Sequence, residues 1–163
     1  KALTNAVQNR QEHFPILIDS IGGSIYHLVS IVDMIQQAPL KVCTIIQGCA
    51  LSAAAILGTM GTKGYRYAGP NATIMYHNIR GSAEGVVPLM KTKADYFNDL
   101  NDKLCSIMER NSCVAKGFYR EMIRNVEGGD LYVTADRAVQ LGLIDHVGIP
   151  SFTVRTTTEV ILS

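Results

Sequence analysis

The chain lacks an excess of charge of either sign. Fifteen Lys and Arg face fourteen Asp and Glu, a formal net charge of +1, and no basic cluster interrupts that balance. The electrostatic footprint of a nucleic-acid or anionic-membrane binder is therefore missing, and neither partner is expected. Cysteine is scarce and has no CxxC spacing. Cys43, Cys49, Cys105 and Cys113 read as free thiols of a reducing compartment, two of them in apolar strand and turn sequence, rather than as metal ligands or disulfides. Nothing asks for a metal or another cofactor. No Gly-x-x-x-x-Gly-Lys-[Ser/Thr] loop occurs, the nearest approach being Gly58–Lys63, so any ATP hydrolysis linked to this chain has to come from another protein. No basic-then-apolar leader opens the sequence at Lys1.

What is present is an α/β alternation in one expected domain over 1–163, without internal repeats. A polar, helix-compatible segment covers 1–12, and Phe14–Asp19 reads as a short apolar strand. After the turn Ser20–Ser24, the positions Ile25, Leu28, Val29, Val32 and Ile35 have helical spacing, and Pro39 stops the helix. Further strands are expected over Gly64–Ala68 and Ala72–Tyr76, split by Gly69-Pro70-Asn71. Pro88–Arg110 reads as one long helix with an apolar stripe of Leu89, Ala94, Phe97, Leu100, Leu104, Ile107 and Met108. A stripe of that length needs a partner surface. A helix over Lys116–Val126 should stop at Glu127-Gly128-Gly129, and Asp130–Val133 should be extended. Thr134 should cap a helix over Ala135–Leu141, with Leu143–Val147 strand-like and 150–163 an exposed β-rich tail.

Between Val42 and Thr62 the chain carries no charge at all, reading VCTIIQGCALSAAAILGTMGT. Gln47, its glycines and threonines, and small alanines make it too weakly apolar for a membrane span. The β-branched start, the break at Gln47-Gly48 and the Ala-rich run after Ser52 predict strand, tight turn and helix. A serine at such a helix start is most simply an N-cap. It also has backbone N–H groups beside it and the positive end of the helix dipole beneath it, which favour an anionic intermediate.

Serine becomes a nucleophile when a base takes its proton, imidazole is the base suited to neutral pH, and a carboxylate orients the imidazole. Ser52, His77 at a strand end and Asp130 after a helix supply those three types. Composition alone does not select them, because His13, His27, His146, Ser20, Ser24 and Asp19 are rivals.

Four segments, in order, resemble one family. ILIDSIGGSI resembles the strand, Ser-Pro-Gly-Gly-Ser turn and helix of the ClpP family of self-compartmentalising serine peptidases, and GCALSAA resembles its Gly-x-Ala-x-Ser-x-x nucleophile segment. PNATIMYHN and DLYVTADRAVQLGLID resemble the family's histidine and aspartate segments. The resemblance implies a spiral of ββα units with a protruding handle helix. It implies Ser52 as nucleophile, His77 as general base and Asp130 as orienting acid, with the backbone N–H groups of Gly23 and Ala53 as the oxyanion hole. Gly81, Ser82, Ala83, Glu84, Gly85 and Val86 would form the strand that pairs with an extended peptide, within a handle region of about 81–110.

The resemblance further implies an endopeptidase subunit acting on unfolded polypeptides or short peptides through an acyl-enzyme. Two stacked heptameric rings of identical chains would enclose the sites, with a separate AAA+ unfoldase ATPase as a partner. The implied address is cytoplasmic, or an organellar stroma or matrix. The sequence departs from the family pattern at Ile21 for Pro, Cys49 for Gln, Ala53 for Met and Asn78-Ile79 for Gln-Pro. Gly128-Gly129 stand where many relatives carry a charged pair that links assembly to activity. The sequence starts at the family's first helix, so the strand and axial loops that contact the ATPase are not in it, which leaves that docking open. Three other readings share these features: a crotonase-like acyl-CoA hydratase or isomerase, a non-catalytic ring subunit, and a membrane-associated peptidase whose Ser52 would work with Lys91 or Lys93.

Overall fold

The computed structural model describes residues 1–82, 84–112, 114–126 and 129–153. Ala83, Cys113, Glu127, Gly128 and the expected tail from 154 to 163 lie outside the described residues. The elements are α1 (Ala2–Gln8), β1 (His13–Ser20), α2 (Ile25–Gln36), β2 (Lys41–Leu51), α3 (Ala53–Thr59), β3 (Arg66–Ala68), β4 (Thr73–His77), α4 (Val87–Ser112), α5 (Phe118–Arg124), β5 (Asp130–Val133), α6 (Ala135–Gln140) and β6 (His146–Val147). This is the α/β architecture of ββα units with a projecting helix expected from the sequence.

One strand organises the sheet. Val42–Ile46 of β2 are buried without interruption, as a strand covered on both faces requires, and β1 pairs with it in parallel. The sheet order is β5-β4-β2-β3-β6. β2 holds two of these neighbours in succession: Thr44–Ile46 pair with Arg66–Ala68, then Cys49–Leu51 pair with Thr73–Met75.

The expected break at Gln47-Gly48 is instead a bulge inside β2, which runs on to Leu51. Ile18 faces Ile46 but Ser20 faces Ala50, so β2 spends four residues where β1 spends two. Gly48 takes φ +74°, and a Cβ there would lie 2.7 Å from an Asp19 carboxylate oxygen, which itself accepts the Cys49 N–H at 3.0 Å. The extra residues swing β2 from one neighbour to the next. The charge-free run is thus divided between a strand and a seven-residue helix, and among the described residues no helix is long and apolar enough to cross a membrane.

Helices and sheet share a core, with α3 packed directly on β2. Leu28, Val32 and Ile35 of α2, Ala54 and Ala55 of α3, and Tyr119 and Ile123 of α5 join Ile46, Ile74 and Tyr76 in one core. Thr134 caps α6 as expected, its hydroxyl accepting the Arg137 N–H at 3.2 Å. The last strand is shorter than expected, because Leu143 and Ile144 are committed to the core before it starts.

The long helix divides its stripe. Leu104, Ile107 and Met108 are buried against the chain's own core, whereas Leu89, Met90 and Tyr96 remain exposed and Val87 is 75% exposed. At 1.5 Å per residue α4 is about 39 Å long, so its first turns project from the body.

The far side of the sheet is tied by a buried ion pair. Arg66 is 1% exposed and reaches Asp145 through Nε at 2.8 Å and Nη2 at 2.6 Å. The Asp145 carboxylate also accepts the Gly64 and Arg66 N–H groups. Burial pushes the Asp145 carboxyl up, but the Arg66 guanidinium and those N–H groups outweigh it and hold it below its ordinary value. A depressed carboxylate contributes stability above its unfolded pKa and loses it as pH falls through the folded one. Asp145→Asn leaves a buried guanidinium half-paired, so it should cost about 3 kcal/mol in urea unfolding at neutral pH. The deficit relative to wild type should shrink below about pH 4.

Candidate active site

Ser52 stands where β2 hands over to α3. Its backbone takes φ 58°, ψ −124°, a left-handed conformation that costs a non-glycine residue energy and persists only where neighbours enforce it. Two contacts enforce it. The Ser52 N–H donates to the Met75 carbonyl at 2.8 Å, prolonging the β2–β4 ladder. The Gly22-Gly23 turn presses on the other side: a Cβ on Gly22, which has φ +101°, would lie 2.6 Å from the Leu51 carbonyl oxygen and 2.9 Å from the Ser52 Cβ. The Ser52 side chain does not cap α3, so the plain N-cap role is not the one it fills.

The two amides anticipated beside it belong to this junction. Ala53 opens α3, and its N–H nitrogen lies 3.2 Å from where a Gly22 Cβ would sit. A Cβ added to Gly23 would meet nothing within 4 Å, so the space in front of this turn is open. A groove of about 340 Å³ begins there and continues past Ser24, His27 and Leu57.

His77 and Asp130 meet across strands. β4 runs antiparallel to β5, and in the register of that pair His77 is opposite Asp130, which brings Cβ atoms about 5 Å apart. β4 is also the direct neighbour of the end of β2. Ser52, His77 and Asp130 therefore come to the same end of the same three strands.

Their side chains are not bonded to one another. His77 Nδ1 lies against the Asn78 carbonyl oxygen; a carbonyl only accepts, so this contact suits a proton on Nδ1, the tautomer that leaves a lone pair on Nε2. The Asp130 carboxylate is paired with the Arg80 guanidinium. Behind them, Asn101 of α4 accepts the Ile79 N–H at 3.3 Å and donates to Asn78 Oδ1 at 3.0 Å. Neither Arg80 nor Asn101 was singled out in the sequence, where they lie 50 and 23 positions from the residues they hold and carry no motif.

Four of the six rivals have other work, while Ser24 and His27 line the groove. Asp19 holds the β2 bulge, the Ser20 hydroxyl accepts the Gly22 N–H, His13 packs on Tyr65 and His146 stacks on Tyr67. Gly81, Ser82, Glu84, Gly85 and Val86 are exposed and belong to no strand in the single chain. Lys91 and Lys93 are exposed on the projecting part of α4.

A family model described as Clp protease matches residues 2–150. The chain belongs to the Clp protease family. That is a family of serine peptidases, and membership sets aside the acyl-CoA hydratase reading. The three described thiols of this Clp protease family member are suppressed as nucleophiles: burial raises Cys43 and pushes Cys105 up to about 11. Cys49 is raised by desolvation first and then by the Asp19 carboxylate. Among the described residues no cluster of His, Cys, Asp and Glu could hold a metal ion.

The enforced backbone at Ser52 has a measurable cost. Ser52→Gly should unfold at higher urea than Ser52→Ala, by about 1 kcal/mol, since both lack the hydroxyl but glycine alone relieves the left-handed conformation. Equal stabilities would mean that no strain is held there.

Proposed function

We propose that this chain is the peptidase subunit of a self-compartmentalised protease, with Ser52 as nucleophile, His77 as general base and Asp130 as orienting acid. The observation that carries the proposal is the strand register: the strained serine directly follows β2 beside Met75, and two residues beyond Met75, His77 faces Asp130. Ser52 attacks the peptide carbonyl as the imidazole Nε2 takes its proton, and the amine leaves with that proton. Water, deprotonated by the same imidazole, then attacks the acyl-enzyme carbonyl and releases the carboxylic acid product. The Gly23 and Ala53 N–H groups would hold the oxyanion in both tetrahedral intermediates.

Substrate would lie along 81–86 as an added strand, its backbone supplying much of the affinity, so that sequence preference is modest. Pairing with peptide would bring the segment's described residues, which belong to no strand in the single chain, into a sheet. The uncovered apolar positions on the first turns of α4 suit a second copy of the chain. Face-to-face rings joined there would enclose the sites, and an external unfoldase ATPase would feed them.

A fluorophosphonate should label Ser52 in the assembled protein and fail on Ser52→Ala, while His77→Ala should lower the hydrolysis of a fluorogenic peptide by at least about 10³-fold. Full labelling of Ser52→Ala, or an unchanged His77→Ala enzyme, would remove the triad. Leu89→Glu with Met90→Glu should reduce the particle mass measured by sedimentation; a particle of unchanged mass would remove the handle contact.

A further inference from the structure

We infer that Arg80 is a positioning residue that decides whether Asp130 can serve His77, an inference that rests on the peptidase reading above. The two groups are already opposite one another in the β4–β5 register, so joining them takes side-chain rotation and no strand movement. The structure holds them apart. Asp130 is taken by Arg80, and His77 Nδ1 is taken by the Asn78 carbonyl.

This matters because serine attack turns the imidazole into an imidazolium, and a facing carboxylate is what stabilises that charge. A carboxylate already neutralised by a guanidinium exerts a much weaker field on it. Arg80 and His77 thus compete for one anion.

The surroundings favour Arg80 as competitor. Asp130 is the only anionic partner that the structure gives Arg80 among the described residues. The two positions before Asp130 in the sequence are glycines, so no cation immediately precedes it in the chain. The segment bearing both Asn78 and Arg80 is fixed to α4 by the two Asn101 hydrogen bonds, which keeps the guanidinium within reach.

The pair is also easily exchanged. The Arg80 side chain is 62% exposed and that of Asp130 32%, and exposed pairs are weak and screened by salt. Two arrangements follow: one with Asp130 on Arg80, the other with Asp130 on His77. Any anion that draws off the guanidinium shifts the population toward the second.

The test is the rate at which diisopropyl fluorophosphate labels Ser52 in the full chain, from low to high sodium chloride. At low salt Arg80→Gln should label about three-fold faster than wild type, the scale of an exposed ion pair. Added salt should speed the wild type and leave Arg80→Gln unchanged, while Arg80→Lys, which keeps the charge, stays near wild type. In an Asp130→Asn background, Arg80→Gln should have no effect. A purely structural arginine would not produce that dependence on salt and on Asp130. Labelling of Arg80→Gln at the wild-type rate or below would overturn the inference while leaving the nucleophile intact. No labelling of Ser52 in either folded protein would overturn the peptidase reading, and this inference with it.

Discussion

The bulge at Gln47-Gly48, locked by the Asp19 carboxylate, is the constraint on which the arrangement depends. A straight β2 would keep β3 as its neighbour to the end. By swinging at the bulge, the strand releases β3 after Ile46 and takes β4 from Cys49 onward. That exchange brings the strand ending in His77 alongside the strand that leads into Ser52. The requirement is chemical as well as geometric: the glycine adopts a positive φ, and its missing Cβ leaves room for the carboxylate that holds the bulge closed.

Around this junction the molecule separates stability from chemistry. The fully covered half of the sheet carries the buried Arg66–Asp145 pair and the apolar residues Ile45, Ile46, Leu143 and Ile144. The other half ends in strained backbone, exposed ion pairs and uncovered apolar side chains. Free energy gained in the first allows the second to hold a serine in a conformation it would not otherwise adopt. The long α4 belongs to both halves, packing into the core at Leu104, Ile107 and Met108 and leaving its first turns to a partner.

Much of the fold was legible because its periodicities are strong. The spacing of Leu28, Val32 and Ile35 announced α2, Thr134 marked the start of α6, and the β-branched run after Val42 announced a buried strand. What escaped was non-local. Gln47-Gly48 has the composition of a turn, and only the Asp19 carboxylate, some thirty positions away, makes it a bulge. The strand over 143–147 shrank because core packing claimed Leu143 and Ile144 first. At the candidate site the three reactive types were visible, and the family resemblance, not their spacing, picked them from among the rivals. The Arg80–Asp130 pairing and the Asn101 clamp left no trace in the sequence, since each joins residues far apart in the chain whose types are ordinary surface types.

The most direct test is a structure of the assembled protein after reaction with a peptidyl phosphonate. The account predicts phosphorus bonded to the Ser52 Oγ, a phosphonate oxygen facing the Gly23 and Ala53 N–H groups, and the His77 imidazole bonded to Asp130 with Arg80 displaced. An adduct on any other side chain, or one on Ser52 with His77 and Asp130 turned away from it and from each other, would contradict it.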